Sequence, residues 1–297
     1  MKVSVIVPVY NDPRVEDCIL SLLSQDYSKD LYEIIVVDNN SNDSTSEIIQ
    51  RFDVKYLREN KRGSYHARNK GLEIASGEVA VFIDADCVAD PHWLSALLEG
   101  FKDSNVGGVG GRILKREPQT WVQAYAEDLA EQQLTPQYLP FHDAPYIVTA
   151  NAAYRMSVLR MLQGFDARFR SGGDVDLAWR VQAKGFKVVT APDAIVHHAA
   201  RETVKGYFKQ YFTYAAWHVF LFKKHRQNRG FFTNTYPFSG LRWLLFSVTP
   251  VMFIRKLLGK PRAVKKRRIY IELVKYVAII CGNLYGAVKY RIKVRFK

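Results

Sequence analysis

The 297-residue chain has few cysteines, and the three that it has, Cys18, Cys87 and Cys281, are far apart in sequence. Three scattered thiols provide neither a disulfide framework nor the paired spacing of a structural zinc site. Their scarcity favours a reducing, cytosolic compartment. Met1 is followed almost at once by the strand-like run Val3–Val9, without a small-residue cleavage site, so we expect no signal peptide.

The chain also lacks a clean run of about 20 apolar residues, the length that spans a bilayer. Residues 241–254 are apolar but short and include Arg242, and residues 269–290 carry Glu272, Lys275 and Lys289. A basic cluster at residues 260–268 separates the two segments. Apolar pieces beside a basic cluster are typical of monotopic helices on an anionic leaflet. A helical hairpin that dips into the bilayer and an oligomer contact remain alternatives.

Acidic residues are almost missing from the C-terminal end. Residues 255–297 hold 14 Lys and Arg against one acid, whereas residues 1–200 hold 21 Lys and Arg against 27 Asp and Glu. The net charge of +14 therefore belongs to the end of the chain. Residues 207–222 add an aromatic helix interleaved with lysines, which suits a membrane interface, although packing on the rest of the protein is equally compatible. We expect an anionic membrane surface, not nucleic acid, as the partner.

Strand-like and helical segments alternate through the first hundred residues. The apolar runs 3–9, 33–38, 54–57 and 79–83 read as buried strands, and segments 17–23, 46–52 and 64–75 have helical spacing. This alternation predicts an α/β fold with a doubly wound, mainly parallel sheet. Two further short strands, 187–189 and 194–196, are predicted near the end of the same region.

Two carboxylates, Asp84 and Asp86, follow the last of these four strands. Strand alternation would turn both to the same side, with the small Ala85 between them. Open α/β sheets bind ligands at the carboxyl edge, and two acids there repel unless a cation lies between them and an anion. A divalent metal bridging to phosphate is the natural occupant. Strand-end acids that merely cap the next helix are the common alternative.

Three further segments of the chain have less specific patterns, each open to a structural or a ligand-binding interpretation. Residues 61–68 combine a glycine with Arg62 and Arg68 at a predicted helix start, which is typical of an anion site. The glycine-rich run 106–111 is not a phosphate loop, because no Lys-Ser/Thr follows, and we interpret it as a strand passing beneath a ligand. The predicted helix 119–133 carries Glu127, Asp128 and Glu131, most simply as a solvated face, with a metal or acceptor contact as the alternative.

The ordered set of motifs resembles family 2 glycosyltransferases of the GT-A fold, which use nucleotide-sugar donors. The matching stretches are residues 4–11 (SVIVPVYN), 35–41 (IVVDNNS) and 63–71 (GSYHARNKG), followed by Asp84-Ala85-Asp86. The resemblance continues to about residue 220. It implies a GT-A domain at 1–220, followed by a basic, hydrophobic helical extension at 221–297.

Position by position, the resemblance implies a nucleotide half-site. Pro8 and Tyr10 would line the base, and Asp38 would accept a hydrogen bond from the base NH. Asp84 would lie near the ribose, and Arg68 would neutralise phosphate charge. Uridine is the expected base. Each role fits its chemistry, since acids accept from NH and hydroxyl groups and arginine binds phosphate.

The resemblance also implies a metal on the donor diphosphate. Asp86 would hold Mn²⁺ or Mg²⁺, because oxygen ligands suit hard cations. A histidine follows the strand near residue 196, and the register favours His198 as a metal or diphosphate ligand, with His197 as the alternative. Arg201 could meet the diphosphate. Asn151 and Arg155 match the family's segment beside the donor sugar, although Arg155 could instead pair with a structural acid.

The acceptor side is expected near Asp174, at the start of a predicted helix. A carboxylate there can act as a general base if its surroundings raise its pKa. The family usually has an acidic pair at this point, whereas this chain has Gly173 before the acid. We assign Asp174 as the base. We expect Asp176 to support Arg180 or the helix start, and it is also a candidate donor-sugar or acceptor contact.

These expectations combine into one function. The enzyme would be an inverting, metal-dependent transferase that moves a sugar from a UDP-sugar to a glycan or lipid-linked acceptor. It would work on the inner face of the cell membrane, peripheral or monotopic, with a homo-oligomer as a possible assembly. The alternatives are a nucleotidyltransferase with the same nucleotide site, and a non-catalytic basic module that binds membrane or RNA.

Overall fold

The computed structural model describes residues 1–125, 133–134, 144–225 and 262–290. These residues fall into two compact units. The first takes in residues 1–116, 133–134 and 144–199, and the second takes in residues 117–125, 200–225 and 262–290. The predicted boundary at residue 220 lies inside the helix Val204–His225, which belongs as a whole to the second unit.

The first unit is an α/β structure whose strands and helices largely follow the predicted order. Its described strands are β1 Val3–Val9, β2 Tyr32–Asp38, β3 Lys55–Arg58, β4 Val79–Ile83, β5 Cys87–Ala89, β6 Val106–Lys115, β7 Gln133–Leu134, β8 Asn151–Arg155 and β9 Lys187–His198. Its helices are α1 Val15–Leu23, α2 Thr45–Ile49, α3 Ser64–Ile74, α4 Trp93–Glu99, α6 Met156–Met161 and α7 Gly173–Ala183, with α5 Trp121–Tyr125 assigned to the second unit.

All nine described strands form one sheet in the order β3-β2-β1-β4-β8-β6-β9-β5, with β7 paired to β6. Strands β3, β2, β1 and β4 are parallel, as predicted, and β6 is parallel to β9. The pairings β4–β8, β6–β8, β5–β9 and β6–β7 are antiparallel. The two longest registers are parallel, so the predicted mainly parallel sheet is confirmed.

The sheet centre is mostly apolar because its strands are covered on both faces, and the polar side chains of Ser4 and Asn151 within it are hydrogen-bonded. Strands β1 and β4 are buried along their whole length. Helix α3 packs closely on β1: a Cβ at Gly71 would lie 2.6 Å from the Ile6 side chain, so only glycine fits there. This close packing places the N-terminal half of α3, which carries Arg68, near the carboxyl edge of the sheet.

Two predictions are corrected within this unit. The separate strands 187–189 and 194–196 are one strand, β9, which carries an irregularity where it pairs with β6. The predicted helix 119–133 is described only as α5, and Gln133 at its end lies in strand β7. The three acids of that segment lie outside the described residues. The glycine-rich run is strand β6, as expected.

The second unit contains a long helical pair, α8 Val204–His225 and α9 Arg262–Lys289, together with α5. Two glycines on α9 let the helix backbones meet. A Cβ at Gly282 would lie 2.3 Å from the Phe212 carbonyl oxygen, and one at Gly286 would lie 2.6 Å from that of Ala216. The predicted aromatic helix is therefore confirmed as α8, and part of its surface packs against α9. Residues 241–254 lie outside the described residues.

Within the described residues, one helical stretch, Arg267–Lys289, is long and apolar enough to cross a membrane by length and composition. From its sequence we expected no clean span here, because the segment carries Glu272, Lys275 and Lys289. Glu272 and Lys275 lie within the apolar part of the stretch, whose average hydropathy is nevertheless high enough for a span.

Candidate active site

The carboxyl ends of β1, β2 and β4 meet at one edge of the sheet, because these three strands run parallel. β4 ends at Ile83, and residues 84–86 form a turn in which the Cys87 N–H donates to the Asp84 carbonyl at 3.0 Å. The expected strand alternation therefore does not apply to Asp84 and Asp86, since both follow the strand. Their carboxylates have different neighbours.

Asp86 lies beside His198 because β5 and β9 pair antiparallel, with Cys87 opposite His198. The His198 Nε2 is 3.5 Å from the Asp86 Oδ2, and the ligand atoms of Asp86, Cys87 and His198 all lie within 4.8 Å of one another. A carboxylate suits Mn²⁺, and a neutral imidazole is a common ligand of divalent metals. Burial raises the pKa of the Cys87 thiol well above its usual value, which disfavours the thiolate that a metal would need. Asp86 and His198 therefore fit a divalent cation.

His197 faces a different acid. Its Nε2 lies 2.9 Å from the Asp90 Oδ1, and successive residues of a strand point to opposite sides. Of the two histidines that the sequence left open, the structure brings His198 to Asp86.

Arg14 was not among the predicted site residues, yet it lies at this cluster. Its NH2 is 3.7 Å from the Asp86 Oδ2, and its guanidinium donates to both oxygens of Asp12 at 2.7 Å. The available signal was its position in the turn after β1, at the same sheet edge as the two acids. A fork-shaped cation beside the candidate metal ligand can bind an anion such as phosphate.

Arg68 pairs with Asp84. Its NH2 lies 2.5 Å from the Asp84 Oδ1, and the arginine side chain is 4% exposed. Its Nε has no hydrogen-bond partner in the described part of the chain. The guanidinium also lies over the rings of Tyr65 and Phe165, at 5.3 and 5.9 Å from their centres. A buried donor without a partner is costly, so it is well placed to bind an anion.

The three residues predicted to line the base have different surroundings. Tyr10 is exposed, and the Arg62 NH2 donates to its hydroxyl at 2.7 Å. Pro8 is buried within β1. Asp38 is fully buried: its Oδ1 accepts from the Ser41 N–H at 2.9 Å, and its Oδ2 accepts from the Tyr56 hydroxyl at 3.2 Å. Asp38 thus holds the turn after β2, and its predicted contact with a base remains a prediction.

Asp174 lies in the first turn of α7, after Gly172, which adopts a left-handed conformation at φ 78°. Its Oδ1 accepts from the Val175 N–H at 3.0 Å and lies 3.4 Å from the Tyr65 hydroxyl. Desolvation raises the pKa of Asp174, with a smaller raising effect from Asp84, while Arg68 and the helix N–H groups act in the opposite direction. A raised pKa makes this carboxylate a better proton acceptor.

Asn151 and Arg155 use their polar groups within the fold. Asn151 is fully buried; it accepts from the Trp93 Nε1 and donates to the carbonyls of Arg112 and Ala194. The Arg155 guanidinium donates to the carbonyls of Phe101 and Asp103, in the loop after α4, and of Val106, at the start of β6. The hydrogen bonds of Arg155 thus go to carbonyl groups, and not to the structural acid that the sequence offered as its alternative partner. Contacts of either residue with a sugar remain predictions.

Asp176 is fully buried and pairs with the Arg180 Nε at 2.8 Å, one helical turn later. Arg180 also donates to the carbonyls of Leu162 and Gly164. This ion pair agrees with the expected support of Arg180, and a contact of Asp176 with a sugar or acceptor remains a prediction. Arg201 is exposed and belongs to the second unit, so its predicted contact with the diphosphate remains a prediction.

Solved glycosyltransferases share this fold. A mannosyltransferase from Pyrobaculum calidifontis, in complex with GDP-Man and Mn²⁺, matches with a TM-score of 0.61 at 23% identity, over 98% of this chain and 75% of that one. Residues 1–349 of TarS from S. aureus, in complex with UDP, match with a TM-score of 0.54 at 18% identity, over 100% of this chain and 94% of that one. The fold is therefore that of GT-A glycosyltransferases.

Sequence comparison gives the family. The model of glycosyl transferase family 2 matches residues 4–162, and this chain belongs to that family. Glycosyltransferase AglE of Haloferax volcanii is 32% identical over 70% of this chain and 71% of its own length. A Methanococcus voltae relative, 24% identical over 83% of this chain and 80% of its own, is a glucuronosyltransferase named for a dolichyl N-acetylglucosaminyl phosphate. The protein is a glycosyltransferase, which excludes the nucleotidyltransferase and the non-catalytic module.

Proposed function

We propose that this enzyme transfers a sugar from a UDP-sugar to a hydroxyl of a glycan or lipid-linked acceptor, with inversion at the anomeric carbon. The observation that carries the proposal is the 3.5 Å approach of His198 to Asp86 at the carboxyl edge of the parallel strands. The name of the Methanococcus voltae relative supports a lipid-linked acceptor. The complex of TarS with UDP supports uridine, while that of the mannosyltransferase with GDP-Man makes guanosine the competing base.

Three sets of side chains would hold the donor. Asp86 and His198 would hold Mn²⁺ or Mg²⁺, which supplies positive charge to the leaving diphosphate when bound. Arg68, whose Nε lacks a partner in the described residues, would donate to a phosphate oxygen. Tyr10 would lie against the base, its exposed ring already in contact with Arg62, and Asp84 would lie near the ribose.

Asp174 would be the general base. It takes the proton from the acceptor hydroxyl as that oxygen bonds to the anomeric carbon, while the bond from this carbon to the diphosphate oxygen breaks. The products are the new glycoside, a nucleoside diphosphate and a protonated Asp174, which then returns its proton to solvent. Attack opposite the leaving group inverts the anomeric configuration. A base with a raised pKa accepts the proton more readily, which fits the half-buried, partly desolvated setting of Asp174.

A donor panel tests the reaction. Nucleoside diphosphate release would be measured for UDP- and GDP-sugars, with and without EDTA and with membrane lipids as the acceptor source. We expect release from a UDP-sugar that EDTA abolishes and Mn²⁺ restores. Release that is insensitive to EDTA would contradict the metal, release from GDP-sugars alone would contradict the base, and no release from any donor would contradict the proposal.

We also propose that the second unit binds the anionic inner face of the membrane. The C-terminal residues 255–297 carry 14 basic residues, and α9 exposes apolar side chains, with Leu273 53% and Val288 81% exposed. Basic charge beside exposed apolar groups favours binding to anionic lipid. Leu273→Glu and Val288→Glu should together reduce sedimentation with anionic vesicles, whereas Leu20→Glu, at a leucine of the first unit about as exposed as Leu273, should not. Equal sedimentation of both variants would contradict this role.

A further inference from the structure

Tyr65 links the start of α3 to the start of α7. It is buried, its ring stacks on Phe165 with centres 5.4 Å apart, and the Arg68 guanidinium lies over the same ring. Its hydroxyl oxygen accepts from the N–H groups of Gly173 at 2.9 Å and Asp174 at 3.4 Å. The same oxygen lies 3.4 Å from the Asp174 Oδ1. The phenol therefore meets both the backbone and the carboxylate of the base.

The number of bonding positions on a phenol decides which way its proton points. A tyrosine hydroxyl has one proton to donate and two lone pairs to accept with. The two backbone N–H groups at the start of α7 occupy the accepting side. The proton is left for the Asp174 carboxylate, which is the remaining neighbour within reach. The hydroxyl thus donates to the base in a fixed direction.

Gly173 is the residue that admits this ring. A Cβ at position 173 would lie 2.7 Å from two carbons of the Tyr65 ring, closer than real Cβ contacts come. Any side chain there would displace the ring from the start of α7. This is a physical reason for glycine at the position where the family resemblance led us to expect an acid.

We propose that Tyr65 is the positioning residue of the base Asp174, orienting its carboxylate through a donated hydrogen bond, and that Gly173 is required to admit the tyrosine. This inference rests on the proposed role of Asp174. Tyr65 takes no part in bond making; it acts through the carboxylate that it holds.

The charged surroundings are compatible with this role. Arg68 and Asp84 face the carboxylate from α3 and from the turn after β4, and the Tyr154 phenol on β8 is also near enough to feel its charge. Burial, with the charge of Asp174, raises the pKa of Tyr65 well above its usual value, so the phenol stays protonated as a donor. Its bond favours the ionised carboxylate and therefore opposes the rise that desolvation causes in the pKa of Asp174.

The first test is Tyr65→Phe, which removes the hydroxyl and keeps the ring. We expect kcat to fall about 10- to 100-fold, the effect of one hydrogen bond to a charged group, with the donor KM nearly unchanged. Without this donor the pKa of Asp174 rises, so the acid limb of the kcat profile moves to higher pH. Tyr154→Phe is the matched control, because its buried hydroxyl has no hydrogen-bond partner in the described residues. It should change neither kcat nor the limb.

The second test retains the hydroxyl, so it remains informative if the Tyr65→Phe variant does not fold. Replacing Tyr65 with 3-fluorotyrosine makes the phenol a stronger donor, which lowers the pKa of Asp174 and moves the acid limb to lower pH. An unmoved limb in the fluorotyrosine enzyme would overturn the positioning role. Asp174→Asn separates the two hypotheses. If the Asp174→Asn enzyme retains transfer, the proposed base itself is wrong. If that variant loses transfer while the acid limb of the fluorotyrosine enzyme does not move, only the role of Tyr65 is wrong.

Discussion

The chain contains two Asp-x-Asp motifs that look alike in sequence and differ in structure. Asp84-Ala85-Asp86 follows strand β4 as a turn, and each of its carboxylates faces a basic side chain at the sheet edge, Arg68 or His198. Asp174-Val175-Asp176 starts helix α7, and its two acids have separate roles.

The backbone explains the difference. Residues two apart in a helix are about 200° apart around its axis, so they cannot share a face. Asp174 is directed to the Tyr65 hydroxyl, while Asp176 is fully buried against Arg180. A turn has no such constraint. The spacing of two acids therefore indicates a paired site only when the local backbone is known.

The largest effect is expected at Asp174. Asp174→Asn keeps the size of the side chain and removes its ability to accept a proton, so nucleoside diphosphate release should fall about 100- to 10,000-fold. Calorimetry should give UDP and Mn²⁺ binding close to that of the unchanged enzyme. If nucleotide binding is lost as well, the second motif belongs to the donor site and the contrast between the motifs disappears.

An intermediate effect is expected at the first motif. His198→Gln should raise the Mn²⁺ concentration needed for half-maximal rate at least about 10-fold, since even outer-shell partners of a metal have effects of that size. His197→Gln is the matched control, because this neighbouring histidine faces Asp90 and not Asp86. Metal titrations of the two variants check the assignment. An equal shift in both would show that neither histidine is a specific ligand.

The smallest effect on transfer is expected at Asp176. Asp176→Asn leaves the Arg180 guanidinium without its buried counter-charge, so the free energy of unfolding should fall by about 1–3 kcal/mol. The rate per folded molecule should change little. Glu73→Gln, which breaks the exposed pair with Lys70, should lower stability much less, because solvent screens that pair. Urea unfolding measures both, and a large loss of transfer in stable Asp176→Asn protein would place this acid in the active site.

Local sequence patterns predicted the elements that carry the donor side. Strand β1 is found as predicted, and α3 ends one residue before its predicted end. The parallel order followed from alternation of strands and helices, whereas the preference for His198 came from the family resemblance. Arg14 was missed because its approach to Asp86 joins residues 72 positions apart, which no local pattern encodes. The sequence around Asn151 did not indicate that its amide side chain would form hydrogen bonds within the fold, one of them with Trp93.

By itself, the sequence determined the family, the α/β class, the carboxylates after β4 and the acid at the start of α7. These depend on periodicity and on motif order, which are properties of neighbouring residues. Only the tertiary structure decided which acids meet which cations, that Asp176 is buried while Asp174 faces Tyr65, and that Gly173 admits that ring. Those outcomes depend on contacts between residues distant in the chain, which packing alone brings together.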